Sequence, residues 1–166
     1  MFMQDRQSKK KLTWSVRKEN IYTIFNFSDG SLFKRNNLRP AALFRNQMDE
    51  RYFLNENTTW CPVITIKKMN GNGIAVSKPS LHYRSKGEII VGEEIKYYWE
   101  WLDKSTAHHI IMDSSKKKLI EIELKNRKNP ELAIKYYDSP HLNGNKDILL
   151  ALGMFHFSPI LVSHKL

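Results

Sequence analysis

The sequence predicts an α+β fold in which a basic, antiparallel β-rich N-terminal half is followed by an α-β-β-α-β C-terminal half. Three observations lead there. Alternating apolar residues separated by glycine turns fill residues 1–86, a helical apolar spacing starts near Gly92, and two strand-like runs follow it. The charge divides at the same place. Residues 1–86 carry 16 Lys and Arg against 6 Asp and Glu, a net +10, whereas residues 87–166 carry 11 of each. We read the two halves, 1–86 and 87–166, as parts of one compact domain, since 166 residues are enough to bury a core.

Leu12, Trp14 and Val16 alternate with polar residues, Ile21 to Phe27 continues the pattern, Asp29-Gly30 is a turn signal, and Leu32-Phe33-Lys34-Arg35 returns the chain. Pro40 suits the first turn of a helix reaching Phe53, with Leu43, Phe44 and Met48 on one side. Thr58 to Met69 and Ile74 to Tyr83 flank Asn70-Gly71-Asn72-Gly73 and predict a second hairpin, in which Pro79 marks an edge. From Gly92 to Lys104, Ile95, Tyr98, Trp99 and Leu102 stand at i, i+3, i+4 and i+7, the spacing of an amphipathic helix. Strands are expected at Ala107 to Asp113 and Lys118 to Lys125. Asn129-Pro130 then opens a short helix, which resumes over Asp147 to Leu152, and Phe155 to His164 reads as a last strand.

Composition narrows the function classes. The single cysteine, Cys61, excludes an intramolecular disulfide framework and predicts a reducing, intracellular setting, cytoplasmic or nucleoid-associated. The longest apolar run, Ile148 to Phe155, is too short to span a bilayer, and Arg6, Lys9, Lys10 and Lys11 lead into no signal-peptide core but read as a basic arm. His108 and His109 are neighbours on a strand, so they point to opposite faces, and no histidine spacing predicts zinc.

An excess of cations in one half is the footprint of a polyanion-binding surface. The cations expected to meet nucleic acid are Lys9, Lys10, Lys11, Lys34, Arg35, Arg39, Arg45, Lys67, Lys68, Arg84 and Lys86, interleaved with aromatics such as Trp14 and Phe33 on which bases can stack. DNA and RNA are equally compatible with this pattern. An anionic membrane attracts lysine clusters by the same electrostatics, and a homodimer or a protein partner fits the neutral half.

The neutral half carries the candidate catalytic groups. Asp113 closes one predicted strand, and Glu121, Glu123 and Lys125 share a face of the next. Two carboxylates on paired strands can hold Mg²⁺, while a nearby lysine orients the attacking water. This Asp, spacer, Glu-x-Lys pattern over residues 90–165 resembles the PD-(D/E)XK, or restriction-endonuclease-like, nuclease superfamily. The resemblance implies a Mg²⁺-dependent endonuclease with Asp113 and Glu123 as metal ligands, Lys125 as the catalytic lysine, and Glu121 as the start of an alternative alignment. Glu94 or Glu100 would supply the further acid of the first helix. Two non-enzymatic readings stand beside it. One is a viral or phage-like factor that binds DNA, RNA or a transcription machine; the other is a matrix-type protein bridging an anionic membrane to nucleoprotein.

Overall fold

The computed structural model describes residues 9–57, 62–69, 73–80, 85–93, 95–103, 107–124, 132–137, 139–140, 142 and 144–163. In chain order the elements are β1 (Lys9–Leu12), β2 (Trp14–Glu19), β3 (Tyr22–Phe27), β4 (Leu32–Asn36), β5 (Ala41–Arg45), β6 (Arg51–Glu56) and β7 (Ile64–Lys68). There follow β8 (Gly73–Pro79), β9 (Lys86–Val91), β10 (Ile95–Asp103), β11 (His108–Met112), β12 (Lys118–Leu124), β13 (Leu132–Tyr137) and one helix, α1 (Lys146–Ser163). Every strand from β2 to β12 pairs antiparallel with its successor, and β1 pairs antiparallel with β13. Only Thr13 separates β1 from β2, so one extended segment borders both ends of the sheet. Leu12 lies opposite Ile134 while Trp14 lies opposite Phe27, and the sheet closes into a barrel of twelve staves.

The period-two alternation of the strands fills the interior. Phe25, Phe33, Phe44, Leu54, Ile66, Ala75, Ile89, Trp99, Ile111, Ile122 and Ile134 are buried on the successive strands β3 to β13, and they join one apolar cluster with Leu149, Leu152, Met154, Phe155 and Phe157 of α1. A helix apolar on every side is stable only when enclosed. Accordingly α1 runs within the barrel and packs against β4, β6, β11 and β12. Gly153 permits the closest approach, because a Cβ there would stand 2.8 Å from Ile122 Cδ1.

This architecture overturns the α+β, α-β-β-α-β expectation. The helix expected from Pro40 to Phe53 is the β5–β6 hairpin, in which Ala42, Phe44, Tyr52 and Leu54 alternate inward. Its turn is built by Asn46, whose Oδ1 accepts from the Met48 and Glu50 amides at 3.0 and 2.8 Å. The helix expected from Gly92 to Lys104 is β10. Tyr97 and Trp99 are the buried pair there, whereas Ile95 and Leu102, which completed the helical spacing, are both 47% exposed. The short helix after Asn129-Pro130 gives way to β13, with Asn129 and Pro130 themselves outside the described residues. The last strand, expected from Phe155 to His164, is instead the later part of α1 as far as Ser163, with His164 outside the described residues, and the opening turns of α1 contain Asp147 to Leu152.

Three smaller expectations also change. Pro79 ends an internal strand opposite Gly87 and marks no edge. Lys9, Lys10 and Lys11 belong to β1 and not to a free arm. The boundary between residues 86 and 87 falls within β9, so the charge division does not follow a break in the sheet.

Candidate nucleic-acid interface

The register of the five ladders from β2 to β7 sets out a row at outward-facing positions of the barrel, in which Ile24 alone is buried, at 3% exposure. Arg17 lies opposite Ile24, then Lys34, Leu43, Phe53 and Lys67 follow on β4 to β7. The row is external because the neighbouring row, Val16, Phe25, Phe33, Phe44 and Tyr52, fills the core. With strands about 4.8 Å apart, Lys34 and Lys67 stand roughly 14 Å from each other across the face. Arg45 and Arg51, paired in register, extend the same face by one more row. Phe53 is 46% exposed between these cations.

The acids near this face neutralise little of it. Arg17 meets Glu19 at 3.7 Å, and Asp49 meets Arg45 at 3.9 Å and Arg51 at 3.7 Å, all through exposed side chains. Such pairs are worth well under about 1 kcal/mol and leave the cations available. Lys34 Nζ sits 4.2 Å over the Tyr22 ring, and neither Lys34 nor Lys67 is in an ion pair among the described residues. At one end of the barrel, Met48 and Met69 project from the β5–β6 and β7–β8 turns and are 81% and 62% exposed.

The expected nucleic-acid contacts therefore separate. Lys34, Arg45 and Lys67 share the outer face, while Arg39 is exposed in the β4–β5 turn. Lys68 lies at an inward-facing position at the end of β7, bound to Glu50, whose carboxyl it holds below the usual range by hydrogen bonding and charge. Lys86 is exposed on β9, opposite Glu100 and away from this face. The side chains of Lys9, Lys10 and Lys11, and all of Arg84, lie outside the described residues. Arg17, Arg51 and Phe53 belong to the face but emerge only from the register.

Arg35 points the other way. It projects into the barrel, where Nη1 donates to the Phe155 carbonyl at 3.0 Å and to Ser158 Oγ at 2.8 Å, and the guanidinium lies 4.7 Å from the Phe155 ring. The Phe155 carbonyl would ordinarily accept from the amide four residues on, but that residue is Pro159 and has no N–H. Arg35 and Ser158 Oγ, at 3.3 Å, replace the missing donor.

The carboxylates of the nuclease pattern are not brought together. Asp113 is 3% exposed and shapes the β11–β12 turn, with Oδ1 accepting from the Ser115 and Lys117 amides at 2.8 and 3.0 Å. Glu123 lies opposite His108 at the other end of the hairpin, and Met112 is opposite Lys118, so the two acids are separated by about 16 Å of strand. Lys125 and Glu94 lie outside the described residues, and Glu100 stands on β10 and not on a helix. Glu121 is buried in a polar cluster, accepting from Tyr137 OH at 2.7 Å and meeting His108 Nε2 at 2.6 Å and Lys118 Nζ at 3.6 Å. Burial pushes the Glu121 carboxyl up, but hydrogen bonds from Tyr137 and His108 with the Lys118 charge outweigh it and leave it below the usual value. The Tyr137 hydroxyl is pushed up to about 12 by burial and by its bond to Glu121.

His109 faces inward, opposite in direction to His108. Its Nε2 is 3.1 Å from His156 Nδ1 on α1, its ring stacks on Trp99 at 5.9 Å, and its Nδ1 is buried with no hydrogen-bond partner. Burial, then the neighbouring histidines, hold His109 well below its usual pKa; burial and Arg35 bring His156 to about 4. Among the described residues, no three His, Cys, Asp or Glu side chains converge as metal ligands, and no helix is long and apolar enough to cross a membrane.

Comparison with known proteins adds no relative: no family model matches the chain, and neither a curated protein nor a solved structure is detectably similar to it.

Proposed function

We propose that this protein is a nucleic-acid-binding barrel and that its outer β2–β7 face is the contact surface. The observation that carries this reading is the row from Arg17 through Lys34 and Phe53 to Lys67, in which three cations little offset by acids share one face with the exposed Phe53 ring, while Ile24 and Leu43 lie between them. Cations along such a row meet phosphates, and Phe53 offers a face on which an unpaired base stacks. The face is convex and its charges are spread, which favours sequence-tolerant binding to single strands over insertion into a groove. No catalytic step is included, because Asp113 serves a turn and Glu123 lies at the far end of the same hairpin.

A second reading, an acidic membrane surface, is favoured by Met48 and Met69, whose exposed side chains stand beside the cations of β5 to β7. Titration against a single-stranded oligonucleotide and against phosphatidylserine vesicles, each over a range of salt, separates the two. Oligonucleotide binding that weakens steeply with salt, with weak or absent vesicle binding, supports the first reading. Vesicle binding alone supports the second, and binding to neither overturns both.

A further inference from the structure

On another part of the wall, β8 to β11 form an external groove of about 620 Å³, a volume suited to a small organic molecule. Register builds it in two rows. Lys78, Glu88, Tyr98 and Met112 lie opposite one another on four consecutive strands, and Lys86 lies opposite Glu100 beside them. Tyr98, Met112 and Pro79 supply apolar lining. Gly87 on β9 lets the Trp99 ring lie against the backbone between β8 and β10; a Cβ there would overlap the Lys78 carbonyl oxygen and stand 2.6 Å from the Trp99 ring. The indole of Trp99 consequently forms part of the groove surface while its Nε1 donates inward to Ser77 Oγ at 3.1 Å.

The charges of the lining are uneven. Lys78 faces Glu88 and Lys86 faces Glu100, which leaves Lys116, in the turn after Met112, as the surplus cation. Among the described residues Lys116 is in no ion pair, and it is exposed. A ligand that matches this surface has an apolar body for Tyr98, Met112 and Trp99 and one negative charge for Lys116. We propose that the groove binds a small monoanionic amphiphile, a carboxylate with an alkyl or aryl body, with its acid group at Lys116 and its body along Tyr98 toward Trp99. This site uses different strands from the β2–β7 face, so it stands or falls independently of the nucleic-acid reading.

Calorimetric titration of the whole protein with dodecanoate, dodecanol and dodecylammonium, all below their micellar range, tests the chemistry without any substitution. The groove predicts saturable dodecanoate binding and at least about tenfold weaker binding of the neutral and cationic chains. A bromine-labelled dodecanoate should quench tryptophan emission, and Trp99→Phe should remove most of that quenching while binding heat persists. Lys116→Asp, chosen because aspartate tolerates the φ of +62° at this position, should lower dodecanoate affinity about tenfold. The proposal is overturned by an absence of saturable binding, by equal affinity for the three chains, or by quenching that survives Trp99→Phe. Unchanged affinity in a folded Lys116→Asp protein overturns it as well.

Discussion

The Arg35 guanidinium donates to the Phe155 carbonyl at 3.0 Å, the carbonyl that Pro159 leaves without a helical donor. A cation from the barrel wall thus completes the hydrogen bonding of the enclosed helix, and a residue with the composition of a phosphate contact becomes part of the core. Arg35→Ala should cost about 2–4 kcal/mol of unfolding free energy in urea, since a charged donor is lost and a buried acceptor is left underused. In a Pro159→Ala background the loss should shrink, because alanine at that position restores an amide N–H within reach of the Phe155 carbonyl. Equal losses in both backgrounds would show that the proline and the arginine are not coupled.

Two glycines should respond differently to the same substitution. At Gly87 an added methyl meets a backbone carbonyl and the Trp99 ring, neither of which yields easily, so Gly87→Ala should destabilise by about 3 kcal/mol. At Gly153 the methyl meets the terminal Cδ1 of Ile122, which can turn aside, and alanine gains about 1 kcal/mol of helix propensity. Gly153→Ala should therefore stay within about 1 kcal/mol of the parent. Urea midpoints of the two variants measure the contrast.

Acid should weaken the barrel through His109 and His156. Both have folded pKa values below that of an unfolded histidine, so the unfolded chain takes up protons first. Their contribution is complete above about pH 6.5 and is lost as pH falls, with the His156 share ending near its folded value of about 4. Each histidine adds up to about 1.4 kcal/mol per pH unit to the slope. Unfolding free energy measured between pH 4 and 7 should fall steadily with acid, and His156→Gln should reduce the slope; identical slopes would contradict this account.

The β11–β12 hairpin offers a test of what its carboxylates do. Asp113→Ala removes the acceptor for two turn amides and should destabilise by about 1–2 kcal/mol. Glu123→Ala removes a partly exposed carboxylate at the far end of the hairpin, and should change stability by less than about 0.5 kcal/mol. Thermal or urea unfolding of the two proteins gives the comparison.

Much of the strand content was legible in the sequence, because alternation and turn residues act locally. The hairpins around Asp29-Gly30 and from Ala107 to Leu124 follow from those signals. Enclosure was not legible. Inside a barrel, β10 turns Tyr97, Trp99 and Trp101 to the core in strand alternation, and its outward Tyr98 and Leu102 supplied a spurious helical spacing. The run from Ile148 to Phe157 has almost no polar face, so it shows no helical period to read, and its helical state depends on the wall around it. Cation positions were equally hidden. Lys34 and Arg35 are adjacent in sequence, yet strand geometry sends one to solvent and the other to the helix.

The claim that the β2–β7 face binds nucleic acid is tested most directly by fluorescence anisotropy of a labelled single-stranded oligonucleotide over a range of salt. The parent protein is compared with the Lys34→Gln/Lys67→Gln double variant, its folding checked by circular dichroism. Losing two phosphate contacts should weaken binding and lower the slope of log K against log salt by about 1.4, at roughly 0.7 per contact on a single strand. A folded double variant with the parent's affinity and the parent's slope would contradict the assignment of this face.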